Sequence, residues 1–235
     1  AVRKVATPPA VDGTLTGWQG IPFVDFSILP GYVGGRFAGG LAAAYDSASL
    51  YIAMRIDSPL PPRNPMPEHS QAGFHGGDCL QVRLGNDAWK VNLCAWLDST
   101  AGKPALTADG SDLPNGFLQK QGARIAIKTD PRGGYVMEIA VPWQALRGAA
   151  GAPADGERWR GTFQPWWAGI DPRFALEGTL RFEKQGTVAL NVTIPADGEV
   201  SLGLYDLQGG LLRTLLRQEF RPTGNTMVPW DGLDQ

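Results

Sequence analysis

The chain has 235 residues and a formal net charge of −2. Because nucleic acids and anionic membranes normally require a basic stripe or patch, this charge balance argues against both partners. The 31 glycines and 19 prolines imply many turns between short strands, and they favour an all-β chain over a helical one.

Two strands are predicted over residues 41 to 57. Hydrophobic residues alternate around Leu50 and Met54, and Asp46 with Ser47 supplies residues that favour a turn. We therefore expect a half-buried hairpin in this part of the chain.

A loop is predicted over residues 58 to 77. Its five prolines exclude a central strand or a helix interior. Loops of this length are uncommon in compact domains unless they have a function. The segment is therefore a candidate rim of a binding site.

The next hairpin can be given a register from its turn, because Gly85-Asn86-Asp87-Ala88 favours a two-residue turn. Side chains alternate between the two faces of such a pair. One face is hydrophobic and is predicted to be core: Leu80, Val82, Leu84, Trp89, Val91 and Leu93. The opposite face is polar with an aromatic residue at one end: Cys79, Gln81, Arg83, Lys90, Asn92, Cys94 and Trp96.

Cys79 and Cys94 face each other directly under this register. Their Cα separation would be one that a disulfide tolerates, so a cross-strand bridge is one interpretation. Two free thiols packed side by side are the other, and a changed turn would break the pairing.

The rest of the chain is predicted to contain further short strands. Residues 98 to 121 are rich in Gly, Asp, Pro and Ser and are predicted to be a loop. A hairpin with strands at 124–128 and 135–139 follows, then a helical turn that begins with a proline at 142–146, and then a strand at 159–166.

The pattern restarts after Lys184 with short strands and with turns at Asp197-Gly198 and Gly209-Gly210. These strands are too few to close a seven-stranded sandwich. We predict two domains: a β-sandwich over residues 1–184 and a truncated β module over residues 185–235.

Short sequence cassettes follow one another in a fixed order between residues 5 and 184. They are Val11-Asp12-Gly13 before Trp18, the pairs Tyr45-Asp46 and Leu50-Tyr51, Gly77-Asp78 at the start of a strand, Gly134-Tyr135 through Pro142-Trp143, and Asp171-Pro172 before Gly178-Thr179-Leu180. In this order they resemble the family 9 carbohydrate-binding modules, whose superfamily also includes haem-binding electron-transfer domains of the DOMON type. The resemblance implies an all-β fold, an antiparallel β-sandwich of jelly-roll or Ig-like type, with a small C-terminal β appendage.

The appendage resembles the Ig-like module found at the C-termini of many secreted bacterial proteins and in flagellar hook-capping proteins. The shared features are Leu204-Tyr205-Asp206, the Gly209-Gly210 turn, Arg213-Thr214-Leu215, and Trp230-Asp231-Gly232 after Gly224. The closing strand of that module is missing. The resemblance implies a fragment of a longer secreted, extracellular or cell-surface protein, with other domains of that chain as partners.

Family 9 modules hold sugars between two aromatic side chains. The resemblance places Phe74 and His75 at one position, and Trp166 and Trp167 near the other, with Gln164 on the face of Trp166. The family's basic residue at the central hairpin corresponds to Lys90, which the register also places on the polar face. Sugar C–H faces pack on aromatic rings, while hydroxyls need convergent polar groups. The predicted ligand-binding residues are Trp96, Trp166, Lys90, Asn92, Gln81, Arg83, Phe74, His75 and Gln164.

Most other conspicuous residues have structural interpretations. Five further tryptophans are predicted to pack in the core: Trp18, Trp89, Trp143, Trp159 and Trp230. Turns favour aspartate for backbone hydrogen bonding, which accounts for Asp12, Asp46, Asp78, Asp130 and Asp171. Glu138 lies in the middle of a predicted strand and has no identifiable partner in the sequence.

Cofactor binding has little support in the sequence. His69 and His75 lie six residues apart in a loop, and with Met66 they could ligate a metal or bracket a haem iron. An exposed loop histidine is usually only solvated. We expect no cofactor, while a structural calcium ion and a haem remain the alternatives.

The sequence contains no nucleophile elbow, phosphate-binding glycine loop or zinc-ligand spacing, so an enzyme is not expected. We predict a non-catalytic module that binds a polysaccharide or oligosaccharide as an accessory to a larger extracellular carbohydrate-active or surface protein. The alternatives are a b-type haem electron-transfer domain and a purely structural spacer.

Overall fold

The structure, a computed structural model, describes residues 2–27, 38–68, 70, 76–86, 89–108, 117–131, 133–166, 176–183, 188–205 and 208–230. The chain forms two compact units, Ala1–Glu183 and Lys184–Gln235. In the described residues, no helix has the length and apolar character needed to cross a membrane.

Short strands make up most of the first unit. In chain order they are β1 (Val2–Lys4), β2 (Val24–Ser27), β3 (Ala38–Tyr45), β4 (Ser49–Asp57), β5 (Cys79–Gly85), β6 (Lys90–Asp98), β7 (Lys103–Ala108), β8 (Arg124–Thr129), β9 (Tyr135–Pro142), β10 (Arg158–Trp166) and β11 (Leu176–Glu183). The described residues also form two short α-helices, α1 (Phe117–Lys120) and α2 (Trp143–Arg147), and a 3-10 turn at Gly148–Ala150 that follows α2.

The strands form two antiparallel layers. One layer has the order β2, β3, β4, β9, β8, and the other has the order β11, β10, β5, β6, β7. The short strand β1 joins the layers by pairing in parallel with both β3 and β11. This arrangement confirms the predicted all-β antiparallel sandwich.

The main core lies between the two layers. Alternate residues of each layer point inward, so that Ile52 and Met54 of β4 share one cluster with Val82 of β5 and Leu93 of β6. The Trp159 ring packs on Phe182 with centroids 4.2 Å apart. The predicted packing role is confirmed for three tryptophans that are at most 3% exposed: Trp18, Trp143 and Trp159.

A second cluster covers the outer face of the first layer. The segment before β2 folds over that face and contributes Trp18 and Ile21, which pack against Ala42, Tyr51 and Ala53. The strands β3 and β4 are therefore buried on both faces. The prediction of a half-buried hairpin over residues 41–57 is wrong in this respect, because the covering segment is distant in sequence.

Glu138 fixes this covering segment, and it has the partners that the sequence did not reveal. Its side chain is 0% exposed, and its Oε2 accepts hydrogen bonds from the amides of Asp12 (2.9 Å) and Gly13 (2.5 Å). Its Oε1 accepts one from the amide of Leu15 (3.0 Å). Gly13 and Leu15 have φ values of 78° and 60°, which turn successive amides toward one carboxylate.

The segment 98–121, predicted to be a loop, contains strand β7 and helix α1. β7 is an edge strand whose pairing with β6 runs from Leu93–Ala108 to Asp98–Lys103. Turn-forming residues surround Ala105, Leu106 and Thr107 in the sequence, so local composition did not predict a strand here. Pairing with β6 stabilises β7.

The second unit consists of four strands in its described residues: β12 (Val188–Ile194), β13 (Gly198–Tyr205), β14 (Leu211–Arg221) and β15 (Gly224–Trp230). β12 pairs with β15, and β13 pairs with β14, both antiparallel. The buried hydrophobic residues of this unit are few among those described: Ile194, Leu216 and Val228. Its likeness to an Ig-like module stays a prediction.

Candidate functional site

The candidate site is the outer face of the second layer, where three adjacent strands present polar side chains. Alternation and register place the following residues on this face: Arg160, Thr162, Gln164 and Trp166 of β10; Cys79, Gln81 and Arg83 of β5; Lys90, Asn92, Cys94 and Trp96 of β6. The division of the 79–96 hairpin into a core face and a polar face is therefore confirmed.

The pairing within that hairpin differs from the predicted one. Gly85 pairs with Lys90, so four residues lie between the strands instead of two, and the register moves by two positions. Cys94 consequently lies opposite Gln81 and not opposite Cys79. Both cysteines are buried free thiols, so the structure contains no bridge between them. A shift of two positions keeps every side chain on its face, which is why the faces were predicted correctly although the pairs were not.

One end of the face is closed. The side chain of Trp96 is 0% exposed and packs with Cys79 and Cys94, while its Nε1 donates a hydrogen bond to the Met66 carbonyl (2.8 Å). The prediction that Trp96 lines a ligand site is wrong, because the segment around Met66 covers its ring. Sequence alternation gives the face of a side chain, but it does not give what lies on that face.

We name residues 61–68 the strap. Asn64 anchors it: this side chain is 0% exposed, its Nδ2 donates to the Asp78 carbonyl (3.2 Å), and its Oδ1 accepts from the Met66 amide (3.1 Å). The Asn64 carbonyl also accepts from the amide of Ser99 (2.8 Å). Gly76 passes so close to the strap that a side chain there would collide with Asn64 and Met66. The described part of the predicted loop is thus a fixed wall of the face.

The other end of the face is open to solvent. Arg83 and Lys90 are exposed, and Asn92 and Gln164 are half-buried. Gln81, only 2% exposed, accepts a hydrogen bond on Oε1 from Nη2 of Arg83 (2.8 Å), which orients both side chains.

A buried hydroxyl lies on the same face beyond β6. Thr107 of β7 is opposite Cys94 and is 6% exposed. Its Oγ1 has no hydrogen-bond partner among the described residues. Buried hydroxyls are normally paired with protein or water, so this one is a candidate contact for a ligand or a bound water. Thr107 is not among the predicted site residues, because it lies in the segment that was predicted to be a loop.

Trp166 lies at the boundary between the closed and open ends. It is opposite Cys79 and is partly buried against the cluster that contains Trp96. Gln164 is the next residue on the same face, opposite Gln81. The structure therefore brings together an aromatic ring and amide side chains, as predicted for this strand.

Some predicted residues lie outside the described ones: Phe74, His75, His69 and Trp167. Their roles, including the aromatic clamp and a histidine ligand to haem, stay predictions. Within the described ranges, no three His, Cys, Asp or Glu side chains come close enough to hold a metal ion.

A separate groove of about 780 Å³ lies on the first layer, between the Gly13–Leu15 loop and the β8–β9 hairpin. Several of its polar groups already have partners within the protein. Arg55 forms an ion pair with Asp25 (2.6 Å), and the Thr14 hydroxyl donates to Asp12, which lowers the pKa of that carboxyl. Burial raises the pKa of Tyr135 well above its usual value, so that this residue is a neutral wall of the groove. The polar face is the stronger candidate, because it brings a half-buried aromatic ring together with amide and guanidinium side chains at its open end.

Comparison with solved structures identifies the fold. The chain matches a family 9 carbohydrate-binding module from Caldicellulosiruptor kristjanssonii, solved with cellotriose, with a TM-score of 0.51 and 13% identity over 79% of this chain and 94% of that one. It also matches a presumed carbohydrate-binding protein from Bacteroides uniformis, with a TM-score of 0.53 and 13% identity over 77% of this chain and 97% of that one. The chain has the fold of the family 9 carbohydrate-binding modules.

The family 9 fold confirms the expectation that the ordered cassettes raised. No family model matches the chain, and no curated protein matches it. The fold was therefore recognised from the order of short cassettes and from strand geometry, at an identity of 13%. A shared fold does not fix a function, so the ligand depends on the side chains that this chain itself presents.

Proposed function

We propose that this chain is a non-catalytic module that binds an oligosaccharide or polysaccharide on the outer face of its second layer. The observation that carries the proposal is the convergence of Arg83, oriented by the buried Gln81, and Gln164 on an open sheet face next to the half-buried ring of Trp166. A flat ring can pack against sugar C–H groups, and amide and guanidinium groups can bind hydroxyls.

Several features fit a binding module better than an enzyme. The face is formed by the middle of regular strands, and the paired residues described there include no carboxylate that could form a catalytic pair. The two matched proteins are described as carbohydrate-binding, one of them in complex with cellotriose. We extend the proposal to a secreted or cell-surface location and to an accessory role in a larger protein, which is where polysaccharides are met.

A glycan-array screen followed by titration in solution tests this proposal. Trp166 is the reporter, because a sugar packed against its ring should change its fluorescence. We expect a saturable change with the glycans that bind on the array. Because Trp166→Ala removes the reporter, the variants are compared by calorimetric titration, and we expect a loss of about tenfold in affinity for Gln164→Ala and for Trp166→Ala.

Phe220→Ala is the matched control, since Phe220 is an aromatic residue that is 69% exposed in the second unit. It should bind as the unaltered protein does. Thermal unfolding of each variant separates lost contacts from lost folding. A glycan that binds equally well to both site variants would contradict the proposed face, and the absence of any saccharide ligand would contradict the function.

A further inference from the structure

The open end of the polar face is rich in positive charge. Four exposed basic residues lie on the outward positions of its three strands: Arg158 and Arg160 of β10, Arg83 of β5 and Lys90 of β6. The whole chain carries a net charge of −2, so this face departs from the rest of the molecule. Such local concentrations of one sign attract ligands of the opposite charge.

The register brings three of these cations to one corner. Arg160 pairs with Gly85, and Gly85 pairs with Lys90, so Arg160 and Lys90 lie on either side of one glycine. With strands about 4.8 Å apart, their Cα atoms are separated by about 10 Å, which long side chains readily span. Arg83 is the next outward residue on the central strand, diagonal to both.

Gly85 leaves the surface between Lys90 and Arg160 without a side chain. A Cβ placed on Gly85 would lie 3.1 Å from Cγ of Lys90, and it would collide with the Trp89 carbonyl. A larger residue at position 85 would therefore stand between the two cations, whereas glycine leaves room for an anionic group to approach both.

Acidic residues also occupy this face, and one of them lies beside the corner. Glu177 of β11 occupies the position opposite Thr162, and Asp98 at the far end of β6 accepts hydrogen bonds from the amides of Thr100 and Ala101. The Asp98 carboxylate therefore stabilises the turn that follows β6. The positive potentials of Arg83, Lys90 and Arg160 add at this corner, so an anionic group bound there would be attracted by all three side chains.

We infer that the sugar bound by this face carries an anionic substituent, a carboxylate or a sulfate, which Arg83, Lys90 and Arg160 hold at the open end. This inference rests on the proposed glycan-binding function and names the class of glycan. Guanidinium groups suit it especially, because they bind planar or tetrahedral oxyanions through paired N–H donors. The neutral part of the sugar would extend along Gln164 toward Trp166.

The test compares three kinds of probe by calorimetric titration: an oligogalacturonate, a sulfated oligosaccharide, and a neutral cello-oligosaccharide of the same length. We expect one of the two anionic probes to bind at least about tenfold more tightly than the neutral one. The anionic probe that binds more tightly shows whether the preferred substituent is a carboxylate or a sulfate. This preference should shrink as salt rises from about 0.05 M to about 0.5 M, because exposed charges are screened.

Arg83→Gln and Lys90→Gln should each weaken binding of the preferred anionic probe by roughly three- to tenfold while changing neutral-probe binding less. Lys128→Gln is the matched control, since it removes an exposed positive charge from β8 of the opposite layer. It should leave all the affinities unchanged.

The outcomes separate this inference from the proposed function. Binding of the neutral probe with equal or greater affinity would overturn the anionic ligand and leave glycan binding intact, while no binding of any saccharide would overturn both. Equally tight binding of single-stranded DNA, weakened by the same two variants, would show a nonspecific polyanion surface and would overturn the assignment to a glycan.

Discussion

A single buried carboxylate holds the N-terminal segment on the sandwich. Glu138 accepts three backbone hydrogen bonds from the Asp12–Leu15 turn, and this turn precedes Trp18, the main residue of the outer cluster. Hydrogen bonds to a charged acceptor are stronger than those between neutral groups. The Val11-Asp12-Gly13 cassette is thus explained by its partner on β9.

Glu138→Gln should destabilise the first unit by about 1–3 kcal/mol, because an amide replaces one acceptor oxygen with a donor that faces a backbone N–H. Urea denaturation followed by tryptophan fluorescence measures the change. Glu199→Gln, at an exposed position of the second unit, is the control and should have little effect. Equal stability of Glu138→Gln and the unaltered protein would contradict this anchoring role.

Buried tyrosines make the protein sensitive to alkali. Burial and the hydrogen bond to Asp46 raise the pKa of Tyr51 to about 12 from a usual 10.0, and burial raises the pKa of Tyr135 well above the same usual value. A raised pKa means that the folded state favours the neutral phenol. The contribution of these phenols to the free energy of unfolding is complete below pH 10. It falls as the pH rises toward 12, because the unfolded chain then loses these protons while the folded protein keeps them.

Circular dichroism and the absorbance of phenolate, recorded together against pH, check this expectation. Loss of structure should begin above about pH 10 and coincide with the ionisation of the buried tyrosines. Tyr51→Phe removes one of these phenols. After correction for any change in its stability at neutral pH, this variant should unfold at a higher pH than the unaltered protein. Full ionisation of the tyrosines at pH 11 in a protein that is still folded would contradict the burial.

At the scale of elements, the strap decides how much of the polar face a ligand can reach. It covers Trp96 and leaves Gln164 and Arg83 accessible, so the site is the part of the sheet that the strap does not cover. Its attachment consists of the hydrogen bonds of Asn64 and of the bond from Trp96 to the Met66 carbonyl.

Trp96→Phe should loosen the strap, because it removes the Nε1 donor and leaves a small cavity. We expect a loss of about 1–3 kcal/mol in unfolding free energy and faster hydrogen exchange at the Met66 amide. Trp166→Phe is the comparison, since Trp166 lies on the same cluster but is half-buried, and it should cost less. The reverse order of these two effects would argue against the buried position of Trp96.

At the scale of the whole molecule, the two units differ in how much core they contain. The three hydrophobic clusters of the described residues all belong to the first unit. Large hydrophobic residues of the second unit are instead often exposed: Tyr205, Leu211, Phe220 and Met227. A unit of this size with so little buried apolar surface is marginal by itself.

A fragment that spans residues 1–183 should therefore fold alone, with a cooperative thermal transition within about 5 °C of that of the full chain. The fragment 184–235 should show no cooperative transition when isolated. Calorimetry of both fragments measures this. An unfolded or aggregating fragment 1–183 would show that its core is insufficient without the rest of the chain.

The sequence by itself determined the fold class, the positions of most strands and the two faces of the central hairpin. These properties depend on local chemistry: alternation with period two, turn residues such as Asp46, and the ordered cassettes. Because a register error of two positions does not exchange the faces, Arg83 and Lys90 were placed on the polar face although their pairing was not known.

Only the tertiary structure decided which part of that face is open. The strap that buries Trp96, the segment that covers β3 and β4, and the three amides that bind Glu138 all come from parts of the chain distant in sequence. The strand β7 likewise depends on its pairing with β6. Local patterns determine the direction of a side chain, but long-range packing determines what lies over it, and this is what separates a buried tryptophan from one that can contact a ligand.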